Sequence, residues 1–147
     1  MRLLTVLFGI VVPTSIAGFP ASGVDARRGS VMPLQTMTFD EILAAKAAGT
    51  GCTWLGGSSL TLRMAMKKGR GAVKRGGRIV RLHPVSGAEG HFPYTYRHWR
   101  GGGMNIVIAD SGRSTATGPE HVETIATLTL HESGRRRSWR GRLSCGS

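Results

Sequence analysis

Two cysteines, Cys52 and Cys145, stand at the ends of nearly all the strand-like sequence in this chain, and there is no third. A bond between them would join the first strand of a β-domain to its last and favour a sheet that closes on itself. Whether that bond forms depends on compartment, and the N-terminus speaks to it. Arg2 precedes an apolar run over residues 3–12, broken only by Thr5 and Gly9, and Pro13 ends it before Ser15-Ile16-Ala17. This is the layout of an export signal cleaved after small residues. About ten apolar residues fall well short of the roughly twenty that a spanning helix needs. Residues 1–17 therefore read as a removed signal peptide, and the mature chain as periplasmic or secreted with no transmembrane span. In an oxidising compartment the two thiols are expected to pair.

Behind the signal, residues 18–37 mix Pro, Gly, Ser and Ala with Arg27-Arg28 and show no period, as in a flexible lead-in. Residues 38–147 read as one β-rich domain. At its start Thr38 and Glu41 have capping-box spacing, and Phe39, Ile42, Leu43 and Ala47 fall at helical intervals before Gly49. One short amphipathic helix is expected there, packed against the edge or mouth of a sheet.

From Cys52 the period becomes two. Leu60, Leu62, Met64 and Met66 alternate with polar or small residues, and Gly76-Gly77 separates two short runs as a hairpin turn would. Phe92, Tyr94 and Tyr96 alternate next, followed by a short apolar strand over residues 104–109 and a polar loop over 110–119. Val122, Thr124, Ala126, Leu128 and Leu130 make the longest alternating run. Ser133-Gly134 then turns the chain into a last strand, in which Trp139, Gly141, Leu143 and Cys145 share a face. The fold class is mainly β: a small antiparallel barrel or sandwich of roughly seven or eight strands, with one short N-terminal helix and a single disulfide.

Chemistry is sparse. The chain has no G-x-S-x-G, H-E-x-x-H, Walker-type or dinucleotide-binding motif. Two distant cysteines match no zinc spacing and form no C-x-x-C. His83, His91 and His98 lie at loose intervals with only Glu89 close by, and His121, Glu123 and Asp110 could be drawn into a triad only arbitrarily. No catalytic residues, metal or cofactor are assigned, and the domain reads as non-enzymatic.

Charge is the positive signal. The formal net charge is +12, and a chain this basic is drawn to polyanions, which outside the cytoplasm means lipopolysaccharide, phospholipid headgroups or extracellular nucleic acid. One basic stretch runs from Arg63 to Arg81. The other comprises Arg135, Arg136, Arg137, Arg140 and Arg142 around Trp139, and these five are the anion-binding candidates. A purely structural envelope role is the plainest alternative.

A further alternative comes from the order of features in the middle of the chain. Gly76-Gly77, the strand over residues 78–82, Ser86-Gly87, Tyr94 and His98-Trp99-Arg100-Gly101 follow one another in a way that resembles the small periplasmic inhibitors of C-type lysozyme. The chain departs from that pattern in the late position of Tyr94, in a basic residue directly after Trp99, and in lacking the family's lipoprotein cysteine. The resemblance implies a single β-barrel whose Ser86, Tyr94 and Arg100 belong to loops entering the cleft of a lysozyme-type partner, with Ser86 and Arg100 meeting its acidic residues. The export reading is tested by N-terminal sequencing of the mature protein. Gly18 is expected, or Arg27 if cleavage follows Val24-Asp25-Ala26, whereas Met1 recovered from membranes would reject it.

Overall fold

The computed structural model describes residues 33–86, 90–91 and 95–146; the signal segment, most of the lead-in and Tyr94 lie outside them. The elements run β1 (Leu34–Gln35), α1 (Phe39–Ala44), β2 (Gly51–Gly56), β3 (Thr61–Lys67), β4 (Arg70–Arg75) and β5 (Arg78–Pro84). They continue with β6 (Gly90–His91), β7 (Thr95–Tyr96), β8 (His98–Gly101), β9 (Met104–Gly118), β10 (His121–Glu132) and β11 (Arg135–Gly146). Of the two expected architectures, the barrel is the one found. Eight antiparallel strands, β2-β3-β4-β5-β8-β9-β10-β11, form a ring in chain order that β11 closes by pairing with β2. Strands β6 and β7 pair separately.

Cys145 lies directly opposite Cys52 in the closing seam, with Cα atoms 4.0 Å apart, and the two are disulfide-bonded. Short turns join consecutive strands around the ring except between β5 and β8, where residues 85–97 carry β6 and β7, so most pairs meet locally. The β2–β11 pair alone joins the two ends of the meander.

Alternation sorts the side chains. Cys52, Trp54, Met64, Met66, Val73, Leu82, Trp99, Ile106, Ile108, Leu128, Leu130 and Leu143 fill the barrel. Two fully buried tryptophans dominate this interior, and each lies over glycine. A Cβ on Gly56 would come within 2.1 Å of the Trp54 ring, and one on Gly141 within 2.5 Å. Gly71 similarly leaves room for Trp99. Both indole N–H groups are satisfied by carbonyls, Trp54 Nε1 donating to Ala126 at 3.3 Å and Trp99 Nε1 to Tyr96 at 2.7 Å. Trp139 is half-buried against the same core.

The second core lies on the outside of the barrel. Ala65 and Ala72 face each other across β3 and β4 on the outer wall, and their small side chains let α1 sit down on them through Met37, Ile42, Ala45 and Ala47. The helix therefore packs on the barrel's flank, not at its edge or mouth. Thr38 caps it with a reciprocal Thr38–Glu41 box. Lys46, with φ 59°, ends it: the Ala47 and Lys46 amides donate to Ile42 and Leu43, the paired bonds of a Schellman stop, so Gly49 has no part in termination. Two cations hold the helix to the wall, Lys74 Nζ bonding Glu41 at 2.6 Å and Arg81 reaching the Ala44 carbonyl at 3.4 Å.

Three sequence-based expectations change. The lead-in ends earlier than residue 37, because Leu34 is fully buried in the barrel and Met37 is buried under the helix. Strand β1 pairs with the end of β4, at Arg75 and Lys74, where β3 no longer does. Leu62 does not share the inner face of Met64: a register shift between Trp54 and Leu55 turns it outward toward α1. Residues 110–118 are not a loop. They extend β9, which after a wide irregularity resumes pairing with β10 from Ser114 to Gly118, driven by the β-favouring Thr115 and Thr117. Among the described residues the far half of β9 pairs with β10 alone.

Two measurements follow from this architecture. Replacing both Cys52 and Cys145 with Ser should cost about 4–5 kcal/mol in denaturant unfolding, the chain-entropy value for a loop of this length; a loss under about 1 kcal/mol would show that packing alone holds the seam. The Lys74 hydrogen bond, followed by that from the Thr38 amide, holds the Glu41 carboxyl below its ordinary value of 4.5. Since the folded state depresses this group, its contribution is complete above the ordinary glutamate range and is lost as pH falls through the depressed value. Protection factors of the amides in residues 39–45, taken relative to the intrinsic exchange rate at each pH, should fall on acidification below that range, and Glu41→Gln should remove the dependence.

Candidate functional site

A strand splits neighbouring residues between its two faces, and β11 does this to the arginine triplet. Arg137 stands opposite Leu130, a core residue, so Arg137 and Arg135 turn toward the barrel's mouth. Arg136 lies opposite His131 and turns outward with Arg140 and Arg142. Of the five candidates, Arg142 is paired, Nη1 donating to Glu123 at 2.9 Å. Among the described residues no carboxylate partners Arg135, Arg136, Arg137 or Arg140.

At the mouth, Arg135 and Arg137 share a recess of about 290 Å³ with Arg75, Glu132, Leu130 and Pro33. Arg75, at the end of β4, forms an ion pair with Glu132, at the end of β10. Three guanidiniums thus surround one carboxylate. Arg75 and Glu132 have no motif in the sequence, yet each immediately precedes a turn, Gly76-Gly77 and Ser133-Gly134 respectively. In an up-and-down barrel all such turns on one side meet at one mouth, and that is the signal that could have found them.

Outside the barrel, register aligns His83, Arg100, Asn105, His131 and Arg136 in one row across β5, β8, β9, β10 and β11. Arg100 Nε donates to Asn105 Oδ1 at 3.0 Å, which fixes the guanidinium along the wall. Arg100, Ser86, His83 and Asn105 line a single surface depression of about 690 Å³ together with the glycine turn after β8. Two of the three residues singled out by the inhibitor resemblance are therefore neighbours; Tyr94 falls outside the described residues.

Other groupings dissolve. The Arg63 to Arg81 stretch scatters into structural tasks: Arg63 Nη1 donates to the Leu34 carbonyl at 3.1 Å, while Lys74 and Arg81 hold α1. His121 meets Ser144, Nε2 to Oγ at 2.7 Å, but Glu123 is taken by Arg142 and Asp110 accepts from the Gly112 amide at 2.8 Å. Neither Glu123 nor Asp110 is therefore seen bonded to the imidazole, and Ser144 lies mid-strand, paired on both sides. Trp139, packed on the core, is no open stacking platform for a ligand. Among the described residues no three His, Cys, Asp or Glu side chains converge as a metal centre requires, and no helix is long and apolar enough to cross a membrane.

Compared with known proteins, the chain matches no family model, no curated protein and no solved structure.

Proposed function

We propose that this chain is an exported, non-enzymatic β-barrel that binds anionic envelope ligands, such as lipopolysaccharide, phospholipid headgroups or extracellular nucleic acid, through β11. The observation that carries this reading is the placement of five arginines on a single strand, four of them without a carboxylate partner among the described residues. Arginine presents a planar fork of donors to phosphate or carboxylate, and it keeps its charge at any physiological pH. β11 pairs with β10 along its whole length and with the disulfide-linked β2 over Arg142 to Gly146, so these charges are displayed on a strand anchored at one end. Less ordering is then required when an anion arrives.

A second reading, a lysozyme-inhibitor-like protein, is favoured by one observation: Ser86 and Arg100 line the same depression. A basic partner such as a lysozyme would meet long-range repulsion from this chain, which ranks this reading second.

One pair of variants separates the two. Replacing Arg135, Arg136 and Arg137 together with Ser should leave the unfolding midpoint nearly unchanged, since exposed charges contribute little to stability. It should weaken retention on immobilised lipopolysaccharide or DNA and make the log-affinity against log-salt slope shallower by up to about three units. Ser86→Ala with Arg100→Ala should leave that retention intact and abolish lysozyme inhibition if the second reading holds. Wild-type protein that shows no polyanion binding at low salt and no effect on lysozyme would reject both.

A further inference from the structure

The two faces of β11 present arginine in different settings. Outward residues Arg136 and Arg140 stand on an open wall, where water and salt screen them. Arg135 and Arg137 instead project into the mouth recess beside Arg75, with Leu130 and Pro33 as apolar walls. Three guanidiniums gathered around the single Glu132 carboxylate leave a local excess of about two positive charges. Arg135 and Arg137 are exposed like the arginines of the outer wall, so what sets the recess apart is convergence: like charges brought to one lining repel one another until an anion arrives.

We propose that this recess is a discrete binding site for a phosphomonoester, free or carried on a lipid, with Arg135, Arg137 and Arg75 as its ligands and Glu132 as a resident competitor for Arg75. This assignment rests on the anion-binding reading above and narrows it to one pocket and one chemical group. A phosphomonoester carries between one and two negative charges near neutral pH and presents several acceptor oxygens, so it matches the excess charge and can engage more than one guanidinium fork. A carboxylate would offset only half of that excess. A phosphodiester chain offers only one negative charge per unit, again half of that excess. Glu132 holds Arg75 in place while the site is empty, and the ligand shares that arginine when it binds.

The test uses the full mature protein and two carriers of the same group, glycerol 3-phosphate in solution and phosphatidic acid in phosphatidylcholine vesicles, at low salt. Calorimetry for the first and co-sedimentation for the second read the affinity, and the thermal midpoint of each variant establishes that it is folded. Arg135→Ser with Arg137→Ser should weaken binding by about tenfold or more, the effect of losing a charge-assisted hydrogen bond. Lys67→Ser with Lys68→Ser removes equal charge from the exposed β3–β4 turn, at the opposite end of β4 from Arg75, and should change it by no more than about twofold. Glu132→Gln should tighten binding, because it frees Arg75. Binding of either carrier with this pattern supports the site and shows whether the group is taken free or from a membrane. Equal losses in the two double variants, or weaker binding in a folded Glu132→Gln protein, would overturn it. Wild-type protein that retains DNA yet ignores both phosphomonoesters would overturn this site while leaving the broader anion-binding reading in place; loss of DNA retention as well would remove both.

Discussion

Everything in this fold depends on the seam between β2 and β11. Of the other junctions around the ring, all but β5–β8 link consecutive strands that can form as hairpins, and β5–β8 spans only the excursion through β6 and β7, whereas this one brings together residues 93 apart, Cys52 and Cys145. Without it the meander would be an open, twisted sheet with two unpaired edges. With it the edges vanish, and the interior becomes a sealed volume that side chains must fill. The disulfide acts mainly by denying the unfolded chain the many arrangements in which its ends lie far apart. Backbone pairing over Gly51 to Leu55 and Arg142 to Gly146 then sets the register.

Filling that volume explains the distribution of glycine. Trp54 and Trp99 are too large to be ringed by ordinary side chains in an eight-stranded barrel, and Gly56, Gly141 and Gly71 supply the missing space. Gly141 occupies the same face of β11 as Arg135 and Arg137, so one alternation serves both purposes. A shift of one residue in this strand would expel Leu143 and Cys145 from the core and turn Arg136 into the mouth. The position of the cationic recess is thus fixed in part by the packing of Trp54 of β2 against Gly141, midway along β11.

The sequence carried the outline of the barrel more clearly than its local exceptions. Alternation from Val122 to Leu130 and from Trp139 to Cys145, with glycine-rich turns between runs, pointed to a closed or sandwiched antiparallel sheet, and the two cysteines pointed to its seam. What escaped were places where long-range pairing overrode a local signal. Asp110, Ser111 and Gly112 have the composition of a loop but form a bulge inside a strand whose continuation, Ser114 to Gly118, pairs with β10. Leu62 has the parity of a core residue until a register shift reverses it. Leu34 and Met37 follow a featureless lead-in, and only the gap between β3 and β4 makes them part of the core. The candidate site was legible only in part. The arginine triplet was plain, but its division between mouth and wall depended on strand phase, and its companions Arg75 and Glu132 are distant in sequence.

The β9–β10 hairpin extends beyond the β8–β9 pairing, as β11 before Arg142 extends beyond its pairing with β2. Among the described residues, the strand from Ser114 to Gly118 pairs with β10 alone, and its Ser, Thr and Ala side chains are small. Three features make it a poor template for stacking: the Asp110 to Arg113 bulge twists it, Arg113 adds charge, and Pro119 caps its tip. Contact between copies through this edge would have to overcome the mutual repulsion of chains that each carry a formal net charge of +12, so salt that screens that charge is also what would expose the edge to pairing.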